Sequence, residues 1–428
     1  GTFTDLLLFN EQNSELRLLK TPSTPQDQSI GIMQGISQLI AETGISPSEI
    51  NGLLHGTTVS TNIVLEEKGA KVGLLVTKDF EQVLHLARSQ TPGPLAGWMI
   101  MEKPDPLADL ELTRGIPERM SARGEVLTPF DEAAARQAVR ELLEAGIESI
   151  TVSLLHSYAN PAHERAAREL AEREFPGLYI STSADIFSNM REFERWTTAT
   201  VNAYTQPLFD RYLQRLADGL AAGGFAGQLL VMTSSGGMLV PEAARRYPVR
   251  ALESGPAAGA LMSAFHGRAL EVPDLLSFDM GGTTAKGALV NGYQPLKQYD
   301  MEIARLHDFK RGSGLPVKVP VIDMVEIGSG GGSLAEVDER GLIRVGPRSA
   351  GADPGPACYG NGGTAAALTD ANLVLGYLDP GFFLGGEMSL DKAAAERAIE
   401  RRIAEPLDIS LARAAWGIHE IIDEDVAR

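Results

Sequence analysis

The sequence predicts an α/β protein, and two observations lead to that fold class. Short apolar runs rich in β-forming residues alternate with segments of helical spacing along most of the 428 residues, as they do in layered α/β domains. Two glycine-threonine loops of similar sequence also occur, and Gly1 of the first aligns with Gly282 of the second. The repeated loop indicates a duplicated site.

The first elements are a hairpin and a helix. Apolar stretches at 3–10 and 15–21 flank the polar turn EQNS and predict two paired strands. A helix follows and ends at Gly44, because glycine is the usual residue after a helix C-terminus. The helix is indicated by the helical spacing of Ile30, Met33, Ile36 and Ile40.

Strand and helix alternate again over residues 52–77. The alternation stops at 91–130, which contains six prolines. Because proline is disfavoured inside helices and central strands, we predict an insertion there. Regular structure returns with a helix at 131–146, a strand from residue 149 and a helix from about Pro161.

The second half begins with a long helical segment, 191–220, which we expect Pro207 to interrupt because proline cannot donate to the helix ladder. A strand and a glycine turn follow, and a helix at 253–267 leads to the second glycine-threonine loop. The glycine run at 328–333 fails the G-x-G-x-x-G pattern at Ser333, and strands are predicted after it. Neither a Rossmann nor a Walker nucleotide site is supported.

Composition excludes several classes of protein. The net charge of −18 is spread along the chain, so most of the surface would repel nucleic acid. No run approaches the ~20 apolar residues of a membrane helix, and no signal-peptide pattern opens the chain. The single cysteine cannot form an internal disulfide. We therefore expect a cytoplasmic protein with no nucleic-acid or membrane partner.

The second loop has the composition of a phosphate-binding turn. Gly281 and Gly282 allow backbone N–H groups to approach an anion, and Thr283 and Thr284 add short hydroxyl donors. Asp279 interrupts an apolar strand, where an unpaired carboxylate is costly unless it meets a metal ion or fixed donors. A tight hairpin without a ligand is the alternative for one such loop. The duplication and Asp279 favour a nucleotide with Mg²⁺.

His55, Cys358, Thr369 and Asp370 are further candidates for a functional or structural role. His55 follows a strand and precedes hydroxyl residues, so it either contacts a phosphate or substrate oxygen or is a hydrogen-bonded structural histidine. Cys358 has no base assigned to it and is predicted to be buried and inert. Thr369 or Asp370 is predicted to cap a helix. The spacing of histidine and cysteine residues predicts no dedicated transition-metal site.

Longer motifs occur along nearly the whole chain: HGTTVSTNIVLEEKGAKVGLLVTKDF, REFERWTTATVNAY, ESGPAAG, SFDMGGTTAK, IGSGGGSLAEVD and VGPRSAGADPGPACYGNGGTAAALTDANLVLG. Residues 253–265 and 275–290 resemble the connecting helix and second phosphate hairpin of the actin, Hsp70 and sugar-kinase superfamily. More narrowly, the joint pattern of the motifs resembles the A-type subunit of the hydantoinase and oxoprolinase family, which includes ATP-dependent N-methylhydantoinase, 5-oxoprolinase, and acetone and acetophenone carboxylases.

The resemblance implies a fold and an organisation. The fold would be that of an actin-like ATPase (the ASKHA class), with duplicated RNase H-like halves around a nucleotide cleft and the C-terminal part missing. Region 1–190 would carry the first phosphate hairpin, and region 191–428 the second, incomplete at its C-terminus. The implied cofactors are ATP and Mg²⁺, and the implied partner is a B-type subunit in a hetero-oligomer.

The resemblance also implies roles for individual residues. Asp279 would bind Mg²⁺ directly or through water, and Glu253 would help to hold the water shell of the metal. Asp5 would orient metal or substrate at the mouth of the first hairpin. The residues implied to contact phosphate are Gly1, Thr2, Thr4, Gly281, Gly282, Thr283 and Thr284.

The leading functional hypothesis is an ATP-dependent amidohydrolase subunit that phosphorylates and opens a cyclic amide, such as a hydantoin, 5-oxoproline or a related lactam. An ATP-dependent ketone carboxylase is the close alternative, and the stretch TPGPLAGWM at 91–99 resembles its members more. A third hypothesis is an Hsp70-like nucleotide-gated binding module. The motifs outside the phosphate loops favour the two enzymes.

Overall fold

The chain forms two compact units, each assembled from separate stretches of sequence. In this computed structural model the described residues are 3–24, 27–88, 104–306, 312–386 and 388–427. Unit 1 comprises Gly1–Gly44, Gly267–Tyr293 and Met324–Arg428. Unit 2 comprises Ile45–His266 and Gln294–Asp323. The division of the sequence into 1–190 and 191–428 stays a prediction about motif regions.

Strands outnumber α-helices among the described residues, and many of the strands are short. The strands of the first half are β1 Phe3–Asn10, β2 Glu15–Pro22, β3 Gly52–His55, β4 Val72–Thr77, β5 Thr113–Ile116, β6 Arg119–Met120, β7 Val126–Thr128, β8 Ser149–Ser153, β9 Tyr179–Thr182, β10 Gln228–Met232 and β11 Met238–Leu239. Those of the second half are β12 Leu275–Met280, β13 Ala285–Asn291, β14 Gln294–Pro295, β15 Lys297–Gln298, β16 Met301–Ile303, β17 Leu315–Val317, β18 Val321–Ile322, β19 Met324–Ile327, β20 Ser333–Val337, β21 Ile343–Ser349 and β22 Ala366–Ala367. The α-helices are α1 Gln28–Thr43, α2 Val59–Leu65, α3 Val83–Leu86, α4 Glu132–Glu144, α5 Ala162–Glu174, α6 Ser183–Ile186, α7 Glu192–Ala222, α8 Pro241–Arg246, α9 Ser254–Ala269, α10 Leu368–Leu375, α11 Lys392–Ile399, α12 Glu405–Leu407 and α13 Leu411–Ala427.

In unit 1, β1 and β2 form the predicted antiparallel hairpin, and α1 packs on it. Along α1, Ile30 is 49% exposed whereas Ile32 and Leu39 are buried. The reason lies at Gly35, where a Cβ atom would lie 2.5 Å from Leu6 Cδ1. A small residue lets the helix approach the hairpin closely, and the buried face turns toward it.

The rest of unit 1 combines short antiparallel sheets with helices. Strand β13 pairs with β12 on one side and β19 on the other, and β20 pairs with β21 and β22. Helices α10, α11 and α13 pack together beside these strands. Their core includes five apolar side chains that are completely buried: Ala371, Ile399, Ile403, Ala414 and Ile418.

Unit 2 contains a parallel sheet in the order β5–β4–β8–β9. Every residue of β4 is buried, as expected for a central parallel strand. The insertion predicted at 91–130 is partly wrong, because its residues 113–116 form the edge strand β5. The prolines flank this strand and do not interrupt it. Residues 89–103 lie outside the described part of the chain.

Helix α7 is continuous through Pro207, so the predicted interruption is wrong. A proline inside a helix costs roughly 3 kcal/mol, and burial of the helix offsets that cost. Phe209 and Leu213 of α7 are completely buried. In the turn before the proline, the Tyr204 carbonyl accepts a hydrogen bond of 2.9 Å from Ala70 N–H. None of the described helices is long and apolar enough to cross a membrane.

Strand β8 carries buried hydroxyl groups without hydrogen-bond partners among the described residues: those of Ser149, Thr151 and Ser153. A buried unpaired hydroxyl costs about 1–3 kcal/mol. We therefore expect Thr151→Val to leave the free energy of unfolding unchanged or to raise it by about 1 kcal/mol in urea denaturation. The control is Thr205→Val, which removes a bond of 2.8 Å to the Val201 carbonyl and should destabilise. Equal losses in both variants would contradict the prediction.

Candidate functional site

The turn at residues 281–284 joins β12 to β13 in unit 1 and contains the glycines and threonines predicted to bind phosphate. Gly281 N–H donates to the Thr284 carbonyl at 2.9 Å and closes the turn. Gly281, Gly282 and Thr283 are exposed, and Thr284 is half-buried. The second predicted phosphate loop is therefore a tight turn at the surface of unit 1.

A second glycine-rich segment, the 328–333 loop, holds this turn from one side. Gly331 N–H donates to the Gly281 carbonyl at 3.0 Å, and Gly332 N–H donates to the Gly282 carbonyl at 2.7 Å. The sequence of this loop matches no nucleotide fingerprint, so no functional role was predicted for it. The structure instead makes it the support of the 281–284 turn, a role that sequence reasoning missed.

These hydrogen bonds fix the direction of two backbone N–H groups. In a trans peptide the carbonyl and the following N–H point in opposite directions. The Gly281 and Gly282 carbonyls face the 328–333 loop, so the N–H groups of Gly282 and Thr283 point away from it. No group among the described residues accepts from either N–H. Two adjacent free N–H groups on one side of a turn suit an anion.

The contact between the two segments requires glycine. A Cβ atom on Gly330 would lie 2.6 Å from Thr283 N and 2.7 Å from the carbonyl carbon and oxygen of Gly282. A Cβ atom on Gly332 would lie 2.9 Å from the Gly282 oxygen. These distances place Gly330 flat against the peptide between Gly282 and Thr283. Any side chain there would push the turn away.

The start of α10 supports the 328–333 loop in turn. The backbone N–H and the Oγ1 hydroxyl of Thr369 both donate to the Gly331 carbonyl at 2.7 Å. The sequence predicted Thr369 or Asp370 as the helix cap. The structure divides the roles, because Thr369 holds the glycine loop and the carboxylate of Asp370 accepts from Ala367 N–H at 2.9 Å.

Asp370 also organises the loop before α10. It is completely buried and accepts from the N–H groups of Ala357 and Cys358 at 3.2 and 2.8 Å. The Cys358 side chain is completely buried as predicted, and that burial raises the pKa of its thiol well above the ordinary range. A thiol of this kind stays protonated and does not act as a nucleophile at neutral pH.

Asp279 lies two residues before the 281–284 turn, on β12. It is exposed, so the argument that its burial demands a metal ion is wrong. The neighbouring apolar residues Leu276 and Phe278 are themselves 63% and 48% exposed. Among the described residues, no group of three histidine, cysteine, aspartate or glutamate side chains is arranged to hold a metal ion. A metal at Asp279 would need ligands from a nucleotide or water.

The first hairpin is described only in part. Gly1 and Thr2 lie outside the described residues, so their predicted phosphate contacts are not observed. Thr4 lies inside strand β1, and its hydroxyl is 3.1 Å from that of Ser23. The structure therefore places Thr4 within the hairpin ladder and not in a turn.

Asp5 also lies within β1, where its carboxylate is 2.9 Å from Lys20 Nζ on the paired strand. Aligning the two glycine-threonine loops puts Asp5 at the position of Lys286. Lys286 forms the reverse pair, with its Nζ 3.4 Å from Glu326 on β19. The strands that follow the two loops thus each carry one cross-strand ion pair, of opposite polarity.

Two further motifs meet in unit 2. The Ser254 hydroxyl, at the start of α9, accepts from Thr57 N–H at 3.1 Å and donates to the Thr57 carbonyl at 2.9 Å. The preceding residue, Glu253, is buried and has φ 54°. Its N–H donates to Thr61 Oγ1 at 3.1 Å. A non-glycine residue held at positive φ is strained, and such residues concentrate at functional sites.

His55 lies at the end of β3 in the same unit, with Nε2 2.6 Å from the Tyr212 hydroxyl. Burial lowers the pKa of His55 to about 4. The imidazole is therefore neutral at pH 7 and is a weak partner for a phosphate. This contact is the one expected of a hydrogen-bonded structural histidine, and a phosphate contact at His55 stays a prediction.

The lowered pKa of His55 predicts acid-sensitive stability. Because the folded pKa lies below the ordinary value of about 6.5, its contribution is complete above pH 6.5 and is lost as pH falls toward 4. Between pH 7 and 5 we expect the wild-type chain to lose about 1 kcal/mol more than His55→Gln, after allowance for the partial exposure of the ring. Urea denaturation at both pH values measures the difference. Parallel losses in the two proteins would show that His55 is not responsible.

Comparison with known proteins gives consistent matches over the whole chain. The profile of the hydantoinase/oxoprolinase family matches residues 195–428, and that of the hydantoinase/oxoprolinase N-terminal region matches residues 1–175. The caprolactamase subunit alpha of Pseudomonas jessenii is 34% identical over 427 residues, which cover 99% of this chain and 60% of the relative. The acetophenone carboxylase gamma subunit of Aromatoleum aromaticum is 35% identical over 443 residues, which cover 100% and 59%.

Solved structures agree with these matches. The nucleotide-free structure of acetone carboxylase superposes with a TM-score of 0.82 at 28% identity and covers 99% of this chain and 60% of that one. The crystal structure of the ATP-dependent caprolactamase from Pseudomonas jessenii gives 0.79 at 34%, covering 99% and 61%. The chain thus spans about three fifths of the length of these relatives. It belongs to the hydantoinase/oxoprolinase family.

Proposed function

We propose that this chain is the nucleotide-binding part of an ATP-dependent amidohydrolase that phosphorylates and opens a cyclic amide. One observation carries the proposal: the free N–H groups of Gly282 and Thr283 point to the same exposed side of the 281–284 turn. An anion such as a phosphate fits this geometry, because preorganised N–H groups bind negative charge without further rearrangement. ATP would supply the phosphoryl group that activates the amide oxygen.

The remaining assignments follow from the same turn. Thr283 and Thr284 would add hydroxyl donors to the phosphate, and the exposed carboxylate of Asp279 would bind Mg²⁺ with water and phosphate oxygens as the other ligands. Glu253 would help to hold the water shell of the metal. Asp5, which pairs with Lys20, would orient the metal or the substrate. An actin-like arrangement of duplicated halves is the fold that we propose for these two hairpins.

The choice of a cyclic amide rests on the caprolactamase match, because a caprolactam is itself a cyclic amide. Ketone carboxylation is the second candidate, and the match to acetophenone carboxylase supports it at similar identity. Residues 91–99, which resemble the carboxylases in sequence, lie outside the described residues. Because these relatives are subunits, we propose that a B-type subunit completes the reaction in a hetero-oligomer.

The test measures phosphate release by the native complex with Mg-ATP and either cyclic amides or ketones plus bicarbonate. Stimulation by a cyclic amide is the expected result, whereas stimulation only by ketone with bicarbonate would make the chain a carboxylase subunit. Asp279→Asn should lower turnover by about 100-fold. The control is Asp408→Asn, an exposed aspartate of the same unit outside the turn. Turnover near the wild-type rate in Asp279→Asn would refute the metal assignment.

A further inference from the structure

A polar cluster in unit 2 lies at the carboxyl-terminal edge of the parallel sheet β5–β4–β8–β9. Thr77 is the last residue of β4, and Glu118 follows β5 by two residues. His163 lies in the first turn of α5, the helix that follows β8. Ligands of parallel α/β sheets bind outside the carboxyl ends of the strands. The nucleotide proposal does not use these three residues, and Glu118 and His163 lie outside the family motifs.

Hydrogen bonds connect the three side chains of the cluster, with Glu118 between Thr77 and His163. The side chain of Glu118 is completely buried, and one carboxylate oxygen accepts from the Thr77 hydroxyl while the other lies 2.7 Å from His163 Nδ1. The Thr77 hydroxyl accepts in turn from Leu155 N–H at 2.9 Å. A carboxylate fixed by the Thr77 hydroxyl orients the imidazole as the acidic member of a catalytic triad does.

The outer nitrogen of His163 is the accessible one. With Nδ1–H donating to Glu118, the other ring nitrogen, Nε2, carries the lone pair. The side chain keeps 10% of its surface exposed. No described residue bonds to Nε2, and Nε2 is not among the buried unpartnered atoms. The Phe130 ring, centred 6.0 Å from the imidazole, forms an apolar wall beside it.

Glu164, the residue after His163, is an example of a structural carboxylate in the same unit. Glu164 is also buried, but it accepts from Leu154 N–H, the Ser183 hydroxyl and Ala184 N–H at 2.6–2.8 Å. Those partners are backbone and hydroxyl groups that belong to the core. One partner of Glu118 is instead an imidazole, whose side chain keeps 10% of its surface exposed.

We propose that His163, oriented by Glu118, is a general base for a neutral small molecule that presents an N–H or O–H group at this edge of the sheet. The proton passes to Nε2, and the bonding pair stays on the nitrogen or oxygen of the ligand. The resulting imidazolium is balanced by the Glu118 carboxylate. This inference relies on the proposed function only for the ligand, which would be the cyclic amide or the water that opens it.

The first test reads the protonation of the ring directly. The chain is labelled with ¹⁵N-histidine, and His163→Gln assigns its signal among those of the seven histidines. In the neutral ring we expect Nδ1 to carry the proton and Nε2 the lone pair, with this preference lost in Glu118→Leu, which removes the acceptor. A proton on Nε2 in the wild-type chain would overturn the proposal, because the outer nitrogen would then be a donor.

The second test uses phosphate release by the native complex. His163→Gln should lower kcat by about 100-fold or more and leave the affinity for Mg-ATP unchanged. The control is His85→Gln, which replaces an exposed histidine of the same unit. Activity of His163→Gln within about threefold of wild type would overturn the base assignment. A failure of the nucleotide proposal would appear separately, as absence of Mg-ATP binding in the wild type.

Discussion

Gly330→Ala is expected to lower ATP turnover by about 100-fold or more, although the residue carries no side chain and lies beside the turn. The new methyl group would overlap the peptide between Gly282 and Thr283, where the nearest atoms are 2.6–2.7 Å away and all belong to the backbone. Backbone atoms cannot move aside as the end of a flexible side chain can. The turn would shift, and its two N–H groups would no longer share one direction. Removing a single preorganised donor from such a site costs about 10²–10³ in kcat.

The matched control is Gly287→Ala on β13, in the same sheet. A Cβ atom there would meet Leu276 Cδ1 at 3.7 Å, an ordinary van der Waals distance. We expect Gly287→Ala to retain turnover and Mg-ATP affinity, as measured by phosphate release and calorimetric titration. Circular dichroism should show both variants folded. If Gly330→Ala bound Mg-ATP as tightly as Gly287→Ala, the 328–333 loop would not position the 281–284 turn.

Local sequence patterns correctly predicted the elements that depend only on their own residues. The β1–β2 hairpin, helix α1 with Gly44 after it, and the strands before and after the second loop all follow from alternation, helical spacing and turn residues. The fold class follows from their order. The glycines and threonines of the 281–284 turn were identified in the same way, because glycine and short hydroxyl residues after a strand are typical of phosphate-binding turns.

The sequence failed where the outcome depends on a distant partner. The local preference of proline alone predicts a break at Pro207. Helix α7 nevertheless continues through Pro207, because burial of the helix offsets the cost of the proline. Asp279 is exposed, as are Leu276 and Phe278 on the same strand, and an apolar run does not reveal this exposure. The structural role of the 328–333 loop is visible only from its hydrogen bonds to Gly281 and Gly282, which the sequence does not show. Each miss is a case in which tertiary context overrides a local signal.

The buried carboxylate of Asp370 gives the second large expected effect. Asp370→Ala would leave the N–H groups of Ala357, Cys358 and Ala367 without their acceptor in the core. Each buried donor left unpaired costs about 1–3 kcal/mol, and water entering the space of the lost side chain recovers part of it. We therefore expect urea denaturation to show a loss of about 3–5 kcal/mol in the free energy of unfolding.

The control for Asp370 separates this network from ordinary helix capping. Asp391 caps α11 by accepting from Ala394 N–H at 2.9 Å in an exposed position, so Asp391→Ala should cost about 1 kcal/mol. A loss in Asp370→Ala no greater than that would mean that water replaces the carboxylate freely. Thr369 directly precedes Asp370, and its hydroxyl donates a hydrogen bond to the Gly331 carbonyl. A displaced α10 N-terminus would therefore also loosen the 328–333 loop, and Asp370→Ala should weaken Mg-ATP binding where Asp391→Ala does not.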